Sequence, residues 1–299
     1  MAATPPRRPR RVGLLVAALL ALALLGGCSP QALLVRGVAD QLAGQGSEAE
    51  DDLDLARESS AFYLKLSESV LRRTPGHLGL AESVAGGFTQ YAYAFVEAEA
   101  ERTEASDARA AQRLRQRAAK LYARGHRHAM NALEAQHPGF AAALAQADPT
   151  LRLRDDEVGV AYWAAASWGG LIALSKDRPD RVADLPQAIA LARLAWERKP
   201  DHGDGALASL MGSFEMARPG GTPQQAAAYF DSAIAAAGGR SAGPFVAKAE
   251  ALALPAGDRP AFEALLRQAL AAAGTRGDLA NEVMRQRAQW LLATADDRF

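Results

Sequence analysis

Thr222-Pro223-Gln224-Gln225-Ala226-Ala227-Ala228-Tyr229-Phe230-Asp231-Ser232-Ala233 is the stretch that decides how this chain folds. Thr222 suits an N-cap, Pro223 suits the first helical position, and Gln225 stands where a capping box needs it. Ala226, Phe230 and Ala233 follow at spacings of four and three, so they share one helix face. Small residues on that face let a second backbone approach, and the phenyl ring fills the groove between. Gly238-Gly239 then closes the helix.

Working outward, the small-large-small pattern recurs in degenerate form. Ala188, Ala192 and Ala195 keep the spacing with a small middle residue, and Pro200 follows five residues later. Phe262, Leu266 and Ala269 keep it with phenylalanine first. The last positions, 195, 233 and 269, are 38 and 36 apart. The prolines at 75, 138 and 200 are 63 and 62 apart, close to two units each. These helices resemble the second helix of tetratricopeptide (TPR) repeats, whose unit is roughly 34 residues. The expected fold is all-α: stacked antiparallel helix pairs, cryptic TPR-like repeats. An ordinary alanine-rich bundle is the alternative, since it would share some of these matches.

Composition agrees with helices. Of 299 residues, 69 are alanine, the best helix former and a poor strand former. Helical patterns run over 53–73, 77–102, 108–136, 140–146, 157–175, 186–198 and 206–217, and again over 244–254, 260–273 and 278–294. No convincing alternating apolar-polar run predicts a strand. With 49% hydrophobic residues the chain is too apolar for a disordered protein. Its 34 basic and 34 acidic residues give no net field, so nucleic acid is not an expected partner.

The beginning of the chain is different. Arg7, Arg8, Arg10 and Arg11 precede an apolar run of 14 residues, Val12 to Leu25. A basic head and a short apolar core make a secretory signal, and the run is short for a membrane span. Leu25-Gly26-Gly27-Cys28 resembles the lipobox of bacterial lipoproteins, with the chain's one cysteine at the modified position. That resemblance implies cleavage before Cys28 and lipidation of its sulfur and amino group. Ser29, in place of aspartate, favours the outer membrane by resemblance to Gram-negative sorting. Cleavage leaves 272 residues and removes four basic charges and no acidic ones, so the mature chain is mildly acidic. The expected organisation is a lipoprotein signal peptide over 1–27, a lipidated tether with a short helix over 28–52, and a helical domain over 53–299.

Several blocks resemble the T component of tripartite ATP-independent periplasmic (TRAP) transporters, the TatT family. They include Asp54-Leu55-Ala56-Arg57-Glu58, Pro75-Gly76-His77-Leu78, Leu174-Ser175-Lys176-Asp177, Ala183-Asp184-Leu185-Pro186, Ala242-Gly243-Pro244 and Trp290-Leu291-Leu292. The most specific is Ala85-Gly86-Gly87-Phe88-Thr89-Gln90-Tyr91-Ala92-Tyr93-Ala94-Phe95. The resemblance implies a helical lipoprotein on the periplasmic side of a membrane. It would bind the transporter's periplasmic solute-binding protein and assist solute uptake, and the family pattern allows a homotrimer. No cofactor, metal or catalytic residue is implied. A structural scaffold lipoprotein for envelope assembly is the competing expectation.

Two aromatic-glycine clusters are the candidates for a cleft or partner-binding surface. Phe88, Tyr91 and Phe95 lie on one face after Gly86-Gly87, with Tyr93 directed elsewhere. Tyr162, Trp163, Ser167 and Trp168 precede Gly169-Gly170, and the Ser167 hydroxyl could stand beside Trp163. Core packing is the favoured reading of both clusters, with a cleft lining as the alternative. His126 and His128 are about 200° apart on a helix and read as a solvated face. The charged run from Glu97 to Lys120 reads as two solvated helix ends joined by a loop, with a surface that steers a partner as the alternative. Gly-x-Ser-x-Gly, phosphate-loop, GxGxxG and HExxH motifs are absent. Binding rather than covalent chemistry is therefore expected, with a hydrolase acting through Ser167 as a remote third reading.

Overall fold

The computed structural model describes residues 30–43, 52–275 and 277–299, and every regular element among them is helical. The expected signal peptide over 1–27 and the lipidation expected at Cys28 fall outside the described residues. The helices are α1 (Pro30–Ala43), α2 (Leu53–Leu71), α3 (Leu78–Tyr91), α4 (Ala98–Thr103), α5 (Ala108–Gln136), α6 (Phe140–Ala145) and α7 (Val158–Ala173). They continue as α8 (Pro179–Val182), α9 (Leu185–Arg198), α10 (Ala206–Ala217), α11 (Pro223–Ala236), α12 (Gly243–Lys248), α13 (Arg259–Ala273) and α14 (Leu279–Ala293). Helix α8 has no counterpart in the sequence reading; it is a single turn started by Pro179.

Local chemistry sets the helix starts. Asp52, Asp107, Asp258 and Asp278 each accept a backbone N–H of the first turn through Oδ1. His77 does the same for Leu80 through Nδ1 at 3.1 Å. Thr222 Oγ1 accepts from Gln225 N at 3.3 Å, as the capping pattern predicts. The reciprocal half of that box is replaced: the Thr222 N–H donates to Glu215 Oε1 at 3.1 Å, and Gln225 Oε1 accepts from Arg218. Glu215 also takes the Arg218 guanidinium at 2.7 Å, so one carboxylate ties the turn together.

Packing in pairs is the rule. Helix α3 packs on α5, α5 on α7, α7 on α9, α10 on α11, and α13 on α14. The pattern residues Ala226, Phe230, Ala233, Ala188, Ala192, Ala195, Phe262, Leu266 and Ala269 are all fully buried. The phenyl ring of Phe230 sits where Gly212 of α10 has no side chain; a β-carbon there would lie 2.9 Å from Phe230 Cζ. One core runs from Ala39 to Phe214 and a second from Ala242 to Leu291. Helix α14 also touches α2, which brings the end of the chain back to its first long helix.

Two helices contain π turns. In Ala92–Glu97 the Ala98 N–H donates to the Tyr93 carbonyl, and in Ala249–Ala253 the Leu254 N–H donates to the Ala249 carbonyl at 2.9 Å. The expected helix over 77–102 is therefore interrupted by a bulge, and the one over 244–254 ends in one. Such a turn adds one residue and rotates the remainder of the helix by about 100° relative to an unbroken α-helix.

Candidate functional site

Glycines let α3 and α7 meet closely. A β-carbon at Gly86 would lie 2.7 Å from Trp163 Cε2, and one at Gly159 would overlap the Glu82 carboxyl. The indole of Trp163 meets Tyr162 edge-on at 4.7 Å, and Tyr162 meets His202 at 5.4 Å. Burial pushes the Tyr162 phenol up to about 12. Burial also raises the pKa of Glu82. Trp168 is buried against His126 at 4.4 Å and donates from Nε1 to Asp184 at 3.4 Å. Ser167 is buried, and its hydroxyl donates to the carbonyls of Trp163 at 2.6 Å and Ala164 at 3.1 Å. That hydroxyl is absorbed by its own helix rather than presented beside the indole.

The other aromatic cluster lies over a charge network. Phe88 is buried, with the Arg124 guanidinium 4.8 Å from its ring centre and His128 stacked at 6.2 Å. Tyr91 and Phe95 meet edge-on at 5.2 Å, with Arg117 6.0 Å from the first ring and Arg57 5.5 Å from the second. Below Phe88, the buried Glu68 carboxylate takes Arg124 in bidentate fashion, His128 at 2.8 Å, Lys65 at 2.9 Å and Arg72 at 3.2 Å. Burial acts to raise its pKa, but the hydrogen bonds from Arg124, Lys65 and His128 outweigh that and hold it far below the carboxylate range.

These partners correct the solvated-face reading of the two histidines. His128 is 11% exposed against Glu68, and His126 Nδ1 meets the Ala164 carbonyl at 3.1 Å beside Trp168. They face different helices because they are two residues apart, so neither points at solvent. Burial lowers both pKa values, and that of His202.

A half-open cavity of about 330 Å³ lies beside the second core. Tyr93 lines it from the first π turn and Glu250 from the second, with Ser213, Val246 and Met284 completing the wall. Phe88, Tyr91, Phe95, Tyr162, Trp163, Ser167 and Trp168 are not among its lining residues. Tyr93, which α-helical spacing directs elsewhere, reaches it instead. Behind the wall Arg287 donates to Glu250 Oε1 at 2.6 Å and, in bidentate fashion, to Glu101. Glu97 accepts from the Tyr122 hydroxyl at 2.6 Å, and burial raises its pKa. Two carboxylates of the charged run, Glu97 and Glu101, thus belong to a half-buried cluster rather than to solvated helix ends.

Among the described residues no group of three histidine, cysteine or acidic side chains could hold a metal ion. Nor is any described helix long and apolar enough to cross a membrane.

Comparison with known proteins places this architecture. The family model for the TRAP transporter T-component matches residues 49–299. A relative from Treponema pallidum (strain Nichols), itself an uncharacterized protein, is 29% identical over 262 residues, covering 84% of this chain and 81% of the relative.

Proposed function

Because the chain belongs to the TRAP transporter T-component family, we propose that it is a periplasmic scaffold lipoprotein that binds the transporter's solute-binding protein and assists solute uptake. The observation that carries this reading is the family match over residues 49–299, which takes in α2 to α14. The family is a transporter accessory rather than an enzyme family, which fits a binding role. The tethering half of the proposal rests on Leu25-Gly26-Gly27-Cys28 and on Ser29, which favour lipidation at Cys28 and the outer membrane. Acyl chains contribute about 0.8 kcal/mol per buried methylene, so a multiply acylated cysteine holds firmly. Stacked helix pairs give such a scaffold an extended surface for a protein partner, in keeping with TPR-like repeats. A homotrimer is the assembly proposed with it.

The test is capture by the lipidated protein from envelope extract, with sizing of the recovered complex. Recovery of a solute-binding protein is the expected result, and a Cys28→Ser variant should still capture it but leave the membrane fraction. Recovery of outer-membrane assembly proteins would favour the scaffold alternative. A monomer that captures no periplasmic partner would overturn the proposal.

A further inference from the structure

We propose that the cavity between Tyr93 and Glu250 binds a small organic cation, an ammonium group carried on an apolar body. The cavity's own chemistry supports this, whichever protein docks to the scaffold.

Glu101 and Glu250 hold one guanidinium, that of Arg287, and Glu97 lies near enough to feel its charge. One positive charge cannot neutralise three carboxylates. The Arg287 Nη atoms are already engaged by Glu101 and Glu250, and its Nε is sealed from solvent. Arg287 is not among the residues that line the cavity, so its guanidinium is not presented to a guest. An incoming anion would meet acidic side chains whose one cation is occupied, whereas an incoming cation supplies the missing charge.

Open hydrogen-bonding capacity points the same way. Glu250 uses Oε1 for Arg287, and among the described residues neither its Oε2 nor the Tyr93 hydroxyl has a hydrogen-bond partner. Both residues line the cavity. An ammonium group donates up to three hydrogen bonds, and a carboxylate oxygen and a phenol oxygen are acceptors for it. Val246 and Met284 supply an apolar wall for the rest of the molecule. A volume of about 330 Å³ suits a small ligand.

The backbone supports a built site. Tyr93 and Glu250 come from different ends of the chain, and each is delivered by a π turn. Such turns give up regular helical bonding and occur often at functional sites. The π turn at Tyr93 interrupts a helix that continues as α4, and the one at Glu250 closes its helix before the turn at 254–257.

The experiment is calorimetric titration of the full lipoprotein in detergent with phenethylammonium, and in parallel with 3-phenylpropanoate, an anion of similar body. The amine should bind roughly tenfold or more tightly than the acid. Glu250→Gln should weaken amine binding by a similar factor, and Tyr93→Phe by less. Glu250 also braces Arg287, so Ser213→Trp, at the exposed rim, serves as the second variant. It should block amine binding while leaving the circular dichroism melt unchanged. Absence of amine binding, equal or tighter binding of the acid, or amine binding unaffected by Ser213→Trp would each overturn the assignment.

Discussion

Trp163 occupies the space that Gly86 leaves by having no side chain, with the indole 2.7 Å from where a β-carbon would stand. Residue 86 is therefore glycine for packing, although alanine would favour the helix by about 1 kcal/mol. Gly86→Ala forces the ring to move, a cost of about 1–3 kcal/mol. The expected net effect is a loss of about 1 kcal/mol, read as a lower urea midpoint with unchanged slope. In a Trp163→Leu background the same substitution should be neutral or stabilising, because the clash is gone. Additive effects of the two changes would show that the contact does not set the stability.

Glu68 joins α2 to α5 through Arg124 and His128. Removing a buried carboxylate leaves cations without their counter-charge, which costs about 3–5 kcal/mol. Glu68→Ala should lie in that range, and Arg72→Ala, at the exposed edge of the network, should cost under about 1 kcal/mol. Chemical denaturation of both variants checks the order, and a Glu68→Ala loss no larger than that of Arg72→Ala would refute the keystone role.

Acid sensitivity arises from His126, His128 and His202. Burial lowers all three pKa values, so the folded protein prefers neutral imidazoles. Unfolded imidazoles titrate near about 6.5, and below that the unfolded chain binds more protons. Stability from this source is complete above that value and is lost as the pH falls through it toward the folded values. The melting temperature should fall between about pH 7 and pH 5.5. His126→Gln, which keeps a polar group near the Ala164 carbonyl, should flatten the fall. A flat wild-type profile would be inconsistent with neutral buried imidazoles.

Glu82 has the opposite sign. Its folded pKa is raised by burial against Gly159, so its ionised form is penalised at neutral pH. Its favourable contribution exists below the unfolded value of about 4.3 and is lost as the pH rises through the folded one. Glu82→Gln should raise the melting temperature at pH 7, by an effect of about 0.5–1 kcal/mol after allowing for partial exposure. The advantage should vanish in acid. A destabilised Glu82→Gln protein at neutral pH would mean that the carboxylate has a role its surroundings do not reveal.

Much of the fold was legible because its signals are local. Thr222 and Pro223 announce a helix start, and Ala226, Phe230 and Ala233 announce its buried face, since both follow from spacing on one helix. The family, too, was legible in blocks such as Gly86-Gly87-Phe88. The seven aromatic and serine candidates were harder, because an aromatic-glycine stripe looks the same whether it faces a core or a cleft. The structure sets Phe88, Phe95, Ser167 and Trp168 in the interior, and only partly covers Tyr91, Tyr162 and Trp163.

By itself, then, the sequence determined helix class and helix pairing, each encoded within a few neighbouring residues. Tertiary structure alone decided the cavity. Spacing set Tyr93 apart from Phe88, Tyr91 and Phe95, but only the tertiary structure gave it a cavity to line. Arg287 meets Glu101 across 186 residues and Glu250 across 37, and the Thr222 N–H chooses Glu215 over the expected Gln225. Pairings of that kind depend on which helices the core brings together, and no local pattern carries that information.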